Sequence, residues 1–483
     1  MQLCVFDLRR GQTEGQELDK ILFFYPSDVS IATRLSVIGL SEGLITFTRI
    51  FSPETPCESI KTQMHSHVFY EAEPQIWMVM IVEEDENSEY IRRVDCLREV
   101  LNELHSLFVM FNGSIRSLAD KEPTGALVRT HLHCFIMDFL SDYFVGKKLV
   151  LPDFRDSLKE CRTLQMITAG REAALDVQSL VRVLESCAGN AKCYTLVLFQ
   201  DLMVSTNLSS VDSVRLFTYA VLRLTPQALS RPYSHSKESN SSPGAVLDQY
   251  HHHNSHDAAG RNSSYSVLRP LQRGKWFKGE DGFLLTDTWG LEVDGSMHKS
   301  PTIWLHETEE KMYMLVYQHR SLTAVLLMPV SSINGEPGIA RVKQQIIEHQ
   351  ASMKIFKVEE KLSRGWAGEN AYHVSGYRYL MVDRDGGVSR ATPPGKVTTL
   401  TKESLGCVNK LRSEVDWEKR RGNWRDVEIC LRAKNNAWHV GRLTGGKELY
   451  VVLEKGAHET LLYASDAVER FSDRYCGGAF SLN

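Results

Sequence analysis

An α+β fold of three similar units, each an antiparallel sheet covered by helices, is what this sequence predicts. Three observations lead there. Apolar runs of strand length recur in twos and threes, each set followed by a stretch with helical spacing. The order of strands, helix, strands, helix comes round three times in 483 residues. No apolar run approaches the roughly 18 residues of a membrane span, and WMVMIV (Trp77–Val82) and AVLLMPV (Ala324–Val330) stop at strand length. A chain this long exceeds one core. A sheet with a helix on one face closes its core in about 120 residues without crossover connections.

In the first unit, Leu3–Leu8 and Ile21–Tyr25 read as strands across the polar loop GQTEGQELD. Pro26 stops the second strand, and Ser27–Asp28 supply a helix cap. Val29–Phe51 then reads as one helix with two apolar faces. At about 100° per residue, Val37, Leu40, Leu44, Phe47 and Phe51 form one stripe, and Ile31, Leu35, Ile38 and Ile45 form another. Small residues, Ala32, Ser36, Gly39 and Gly43, run between them. One stripe suffices to cover a sheet. The second needs its own cover, either elsewhere in this chain or on a partner chain. Two glycines, each costing about 1 kcal/mol inside a helix, suit a place where another backbone comes close. His65–Glu71 and Gln75–Val82 are further strands, and Tyr90–Phe111 and Ala126–Phe144 are helices.

The second unit opens with a helix over Arg171–Glu185. Strands Tyr194–Phe199 and Leu202–Thr206 and a helix over Ser209–Leu224 follow. Residues 230–270, rich in Ser, Asn and His and poor in core formers, read as a disordered insertion. Strands resume at Thr302–Leu305, Met312–Tyr317 and Thr323–Met328, and a single long helix is predicted over Ile339–Leu362. In the third unit Tyr377–Val382 and Val388–Ala391 flank a DGG turn, and Thr401–Val415 is a helix. Strands Val427–Ala433, Trp438–Leu443 and Leu449–Leu453 follow, and His458–Tyr475 is the last helix. The units share element order and no residue-level repeat.

Composition narrows function by exclusion. With 56 basic and 60 acidic residues the net charge is −4, which excludes a strong nucleic-acid footprint. MQLCVFDLRR lacks the basic-then-apolar order of a signal peptide. The ten cysteines contain no CxxC pair, so reduced thiols in an intracellular protein are expected. Membrane contact, if any, is expected to be peripheral.

Four motifs invite chemistry and none fits well. Gly39-Leu40-Ser41-Glu42-Gly43 matches the G-x-S-x-G elbow of serine hydrolases, which needs a strained strand-to-helix turn. Here helical spacing runs through it unbroken from Ile31 to Phe51. Gly441-x4-Gly446-Lys447 resembles a phosphate-binding loop, but Glu448 stands where a Mg²⁺-binding hydroxyl is required, and the stretch joins two strands. His251, His252, His253 and His256 lie in the polar insertion without a rigid surround. His131, His133 and Cys134 sit on one helix, where i and i+2 face apart. No cofactor and no metal are expected. The residues alone describe a protein that works by binding.

EGQELDKILFFYP (Glu14–Pro26), GLSEGLITFTRIFSP (Gly39–Pro53) and IWMVMIV (Ile76–Val82), in that order and spacing, resemble the Ccz-one family of vacuolar fusion proteins. KELYVVL (Lys447–Leu453) is similar to the same family, whereas the insertion has no counterpart in it. The resemblance implies three tandem longin domains, over residues 1–150, 151–365 with the insertion, and 366–483. It also implies an obligate Mon-one family partner. The pair would be a guanine-nucleotide exchange factor for a late-endosomal or vacuolar Rab GTPase of the Rab-seven class, recruited peripherally to late endosome, prevacuolar compartment and vacuole. The family forms its active site between the first longin domains of the two chains. The residues expected at this interface are Val37, Gly39, Glu42, Gly43, Thr46, Phe47 and Arg49, while Trp77 and Met78 belong to the sheet core. Exchange needs no proton transfer, so no covalent catalysis is expected. Two other readings stand beside this one: a longin scaffold without exchange activity, and a hydrolase using Ser41.

Overall fold

The computed structural model describes residues 1–53, 57–83, 94–145, 148–149, 160, 163–167, 171–189, 191–230, 267–286, 300–348, 351–367, 377–392, 400–422, 426–453 and 460–475. The first unit begins with the hairpin β1 (Gln2–Asp7) and β2 (Ile21–Tyr25), then α1 (Ile31–Phe51). β3 (Ser59–Lys61), β4 (His65–Glu73) and β5 (Ile76–Glu83) complete a sheet of order β2-β1-β5-β4-β3. β3 is an addition to the predicted elements: three residues at a sheet edge, mostly exposed, carry no apolar alternation to read. Helices α2 (Val94–Asn112), α3 (Ile115–Lys121) and α4 (Ala126–Leu140) follow, then the short pair β6 (Phe144–Val145) and β7 (Lys148–Leu149). The last part of the helix predicted over Ala126–Phe144 is a 3-10 turn, Ser141–Tyr143.

Both faces of the first sheet are covered, which is why IWMVMIV is apolar without alternation. Trp77, Val79 and Ile81 point to α1, joining Cys4, Phe6 and Phe24. Met78, Met80 and Val82 point to α2 and α4 with Leu3, Val5 and Val68. Trp77 and Met78 are thus both core, on opposite faces.

The second unit repeats the order. β8 (Leu164–Gln165) and α5 (Arg171–Cys187) lead to β9 (Tyr194–Phe199), β10 (Leu202–Thr206), α6 (Ser210–Arg223) and the one-turn α7 (Pro226–Ser230). A small hairpin, β11 (Trp276–Lys278) and β12 (Leu284–Thr286), precedes β13 (Thr302–Trp304), β14 (Lys311–His319) and β15 (Leu322–Pro329). The sheet runs β10-β9-β15-β14-β13. The helix predicted over Ile339–Leu362 is described as two, α8 (Gly335–Glu348) and α9 (Ala351–Ala367). Ile339, Val342 and Ile346 of one and Ile355, Val358 and Leu362 of the other share a core with α5. The step from Ile346 to Ile355 is half a turn out of phase at about 100° per residue, so a single straight helix could not bury both sets on one side.

The predicted insertion at 230–270 lies mostly outside the described residues, His251, His252, His253 and His256 included. Its far end is corrected. Arg269 pairs bidentately with Asp138 at 2.6 and 3.0 Å, and the Pro270 carbonyl accepts from Tyr219 Oη at 3.1 Å. Two anchors in so polar a stretch leave little trace in local composition.

In the third unit β16 (Tyr377–Asp383), β17 (Val388–Ala391), α10 (Lys402–Arg420), β18 (Val427–Arg432), β19 (Trp438–Thr444), β20 (Lys447–Leu453) and α11 (Leu461–Tyr475) form the sheet β18-β19-β20-β16-β17 with its helices. Numbered from each unit's own first strand, all three sheets read 2-1-5-4-3. β8 joins β17 in parallel as a sixth strand. Two residues later the chain has crossed to the second sheet, where Ile167 N donates to Met203 O at 2.9 Å. The approach to β8 is fastened by Glu160, which pairs with Arg412 and, at 3.3 Å, with Arg384, and by Thr163 Oγ1 to Ser389 Oγ at 2.7 Å.

The phosphate-loop look-alike is the β19–β20 hairpin turn, as its strand flanks suggest. Glu448 behind it is fully buried and takes Arg384 Nε at 2.7 Å, Tyr450 Oη at 2.6 Å and the Lys419 ammonium.

Candidate functional site

α1 starts at Ile31. Its cap is Ser30, whose Oγ accepts from Thr33 N at 3.2 Å, so the predicted cap at Ser27–Asp28 is two to three residues early. The Arg34 side chain explains the delay. It folds back to donate to Val29 O at 2.9 Å and to Ser27 O, holding 27–30 as a turn.

The inner face of α1 consists of Arg34, Ile38, Ser41 and Ile45, all buried. Leu35, Val37 and Leu44 are half-buried beside them against the sheet. Val37, expected at the interface, is therefore packed against this chain's own core: it lies about 40° from Ser41 around the helix, at about 100° per residue. Ser41 is not a nucleophile. It sits in mid-helix, fully buried, with Oγ donating to Val37 O at 2.8 Å.

The outer face carries Leu40 (54 % exposed), Phe47 (59 %), Ile50 (71 %) and Phe51 (71 %), with the Phe47 and Phe51 rings 4.9 Å apart. Gly39, Gly43 and Thr46 lie exposed among them, as do Ala32 and Ser36. Among the described residues, a Cβ added to Gly39 or Gly43 would meet nothing within 4 Å beyond the adjoining backbone of α1 itself. Neither glycine is needed for packing within this subunit. Ion pairs border the face. Lys20 Nζ meets Glu42 at 2.8 Å; Arg49 meets Glu71 at 3.0 Å and lies over the Trp77 ring at 5.3 Å. Of the seven residues expected at an interface, four lie on the outer face, Glu42 and Arg49 sit at its margins, and Val37 is inside. Leu40, Ile50 and Phe51 join the outer set. Leu40 and Phe51 stand in the first stripe, and Ile50 follows Phe47 at i+3, so spacing alone would have admitted it.

The two equivalent helices look different. α6 presses Leu216, Phe217, Tyr219 and Ala220 into the core shared with the first unit, where the Phe111 and Tyr219 rings are 4.7 Å apart, and leaves Val211 exposed at its start. Among its described side chains the exposed positions of α10 are Lys410, Ser413, Glu414 and Trp417, with the Arg421 guanidinium 4.3 Å over the indole. Only α1, among the three, presents several large apolar side chains and two glycines to solvent.

This division of α1 has a direct energetic consequence. Ile38→Ala is expected to cost about 2–5 kcal/mol of stability, and Phe47→Ala less than about 0.5. Urea unfolding of the two variants checks this; equal losses would mean that Phe47 packs within the subunit.

The motif residues His131 and His133 have structural partners. His131 Nδ1 pairs with Asn112 Oδ1 at 3.0 Å, and His133 packs on Phe23 with ring centroids 5.9 Å apart. Among the described residues, no helix is long and apolar enough to cross a membrane.

Three sheets of one strand order, each with a helix after its hairpin, define an α+β protein of tandem longin-like units. In agreement, the first longin domain of INTU, CCZ1 and HPS4 matches residues 1–113. The chain belongs to the vacuolar fusion protein CCZ1 family. It is 57 % identical over 513 residues to vacuolar fusion protein CCZ1 homolog A of Arabidopsis thaliana and 59 % identical over 493 residues to homolog B. Each alignment covers 100 % of this chain and 98 % of the relative. The CCZ1 homolog of Oryza sativa subsp. japonica is 54 % identical over 492 residues, with the same coverage.

Proposed function

We propose that this chain is one subunit of a two-chain guanine-nucleotide exchange factor, paired with a Mon-one family protein and acting on a Rab GTPase of the Rab-seven class. The outer face of α1 carries the reading. Leu40, Phe47, Ile50 and Phe51 form an apolar surface that this subunit leaves uncovered, on a helix whose two counterparts are buried or largely polar outside. Burying such side chains is worth roughly 1.5–3 kcal/mol each, and the glycines let a second backbone approach.

Exchange on this reading is a matter of differential binding. The pair holds the nucleotide-free GTPase more tightly than the nucleotide-bound one, and so shifts the population toward release. The work is done on the GTPase switch loops and its Mg²⁺, and no acid, base or nucleophile of this chain is required. Attachment to the late-endosomal or vacuolar membrane is peripheral in this scheme.

The test mixes the purified pair with a Rab-seven class GTPase carrying a fluorescent GDP analogue. The pair is expected to speed release at least tenfold over either chain alone. Release at the intrinsic rate, with the pair intact, would leave the protein a longin scaffold.

A further inference from the structure

A second feature of the first unit lies away from the outer face of α1. Between the end of the β1–β2 hairpin, the turn before α1 and the start of α4 is an open cavity of about 830 Å³. That is within the range of small-molecule pockets. Leu22, Phe23, Phe24 and Ala126 give it apolar walls, and Arg9, Arg10, Arg34 and Arg129 bring four guanidinium groups to its lining, against the carboxylates of Asp7, Asp19 and Asp120.

Asp7 is almost fully buried and serves two of these cations. Arg9 grips it bidentately, at 2.8 and 2.9 Å, and Arg10 Nε stands 3.7 Å from the same carboxylate. One negative charge is thus shared between two positive ones. Arg10 also occupies an unusual place. Its guanidinium lies where a side chain on Gly125 would be, 2.4 Å from the position of a Cβ. Gly125 is the N-cap of α4, at φ +79°. The glycine therefore admits a cation onto a helix N-terminus, an end that itself carries partial positive charge. Glu122 nearby accepts from the Leu127 amide at 2.5 Å and from the Thr124 hydroxyl with its two carboxylate oxygens. Two guanidinium groups sharing one buried carboxylate, at the mouth of an apolar-walled cavity, suit an anion that meets Arg9 and Arg10 together.

We propose that this cavity binds a small amphipathic anion, with an apolar body against Leu22, Phe23 and Phe24 and one phosphate or carboxylate held by Arg9 and Arg10. The anion can be a free metabolite or the head of a lipid with part of its chain, and the chemistry recognised is the same.

Calorimetric titration of the full chain with monomeric decyl phosphate, inorganic phosphate and decanol tests the two halves of the site. Decyl phosphate is expected to bind at least tenfold more tightly than phosphate or decanol. Arg9→Gln, which leaves Asp7 its Arg10 partner, is expected to weaken decyl phosphate at least tenfold without lowering the unfolding midpoint by more than a few degrees. Ala126→Phe, which fills the wall, is expected to abolish binding. Phosphatidylcholine vesicles with and without one-tenth phosphatidate separate the sources. Phosphatidate-dependent sedimentation lost in Arg9→Gln assigns a lipid, and unchanged sedimentation beside lost decyl phosphate binding assigns a soluble anion. Decyl phosphate binding no tighter than phosphate, or equal in wild type and both folded variants, overturns the proposal.

Discussion

Gly43→Glu is expected to abolish co-purification of the Mon-one family partner while leaving this chain folded. The position is open: among the described residues, nothing beyond the adjoining backbone of α1 lies within 4 Å of an added Cβ. Replacing glycine in mid-helix also favours the helix, by up to about 1 kcal/mol. The isolated chain should therefore unfold at the same urea concentration as wild type or slightly higher. In the complex the same carboxylate would lie among Leu40, Phe47 and an apposed backbone, stripped of water. An unpaired buried charge costs several kcal/mol, and about 4 kcal/mol is close to a thousandfold in affinity. Pull-down from cells and calorimetry with purified partner read the loss. Retained pairing would remove α1 from the interface yet leave the exchange reaction to be judged on its own assay.

Glu448→Gln is expected to be the most destabilising conservative change in the third unit, by about 3 kcal/mol. Burial pushes the Glu448 carboxyl toward its neutral form, but Arg384, Lys419 and the Tyr450 hydroxyl overcome this and hold its pKa down to about 2. Removing the negative charge leaves Lys419 and Arg384 facing a neutral amide at a fully buried position, and breaking a buried pair by removing one partner is strongly destabilising. The sign of the pH effect follows. A carboxylate whose pKa is lower folded than unfolded contributes stability at pH values above its unfolded pKa, about 4.3. That contribution is lost as pH falls from there toward 2. The wild-type unfolding free energy should thus drop steeply between about pH 4.5 and 2, and the Glu448→Gln variant should show a shallower slope over that interval. Parallel slopes for the two proteins would exclude the network as its cause.

How much of this was legible beforehand depends on where the information resides. Strands Ile21–Tyr25, Tyr194–Phe199, Leu202–Thr206 and Val388–Ala391 are found at their predicted bounds. Short runs closed by turn formers, such as the tight Gln200–Asp201 turn with Gln200 at φ +55°, mark their own ends. The two-sided character of α1 was equally visible, because helical period is a local property. The assignment of each residue to a side was less so. Val37 and Leu44 sit on the flank of the inner face, and only the placing of the helix on its sheet draws them in. Longer-range features left no local mark. Ser30 became the cap because Arg34 reaches back five and seven residues, and Arg269 is ordered by Asp138, 131 residues earlier.

The extreme case is β8. Thr163 bonds to Ser389, 226 positions further along. At a synthesis rate of about 5–20 residues per second, the strand leaves the ribosome roughly 10–45 s before the edge it will complete. For that interval the emerging polypeptide carries a ligature with nothing to tie. The tandem domains are therefore unequal in autonomy: a fragment ending before β16 retains the strand without its seat, and a fragment starting at β16 offers a bare edge open to strands of other molecules. Dissection of this protein for biochemistry should keep Glu160–Ile167 with the C-terminal portion.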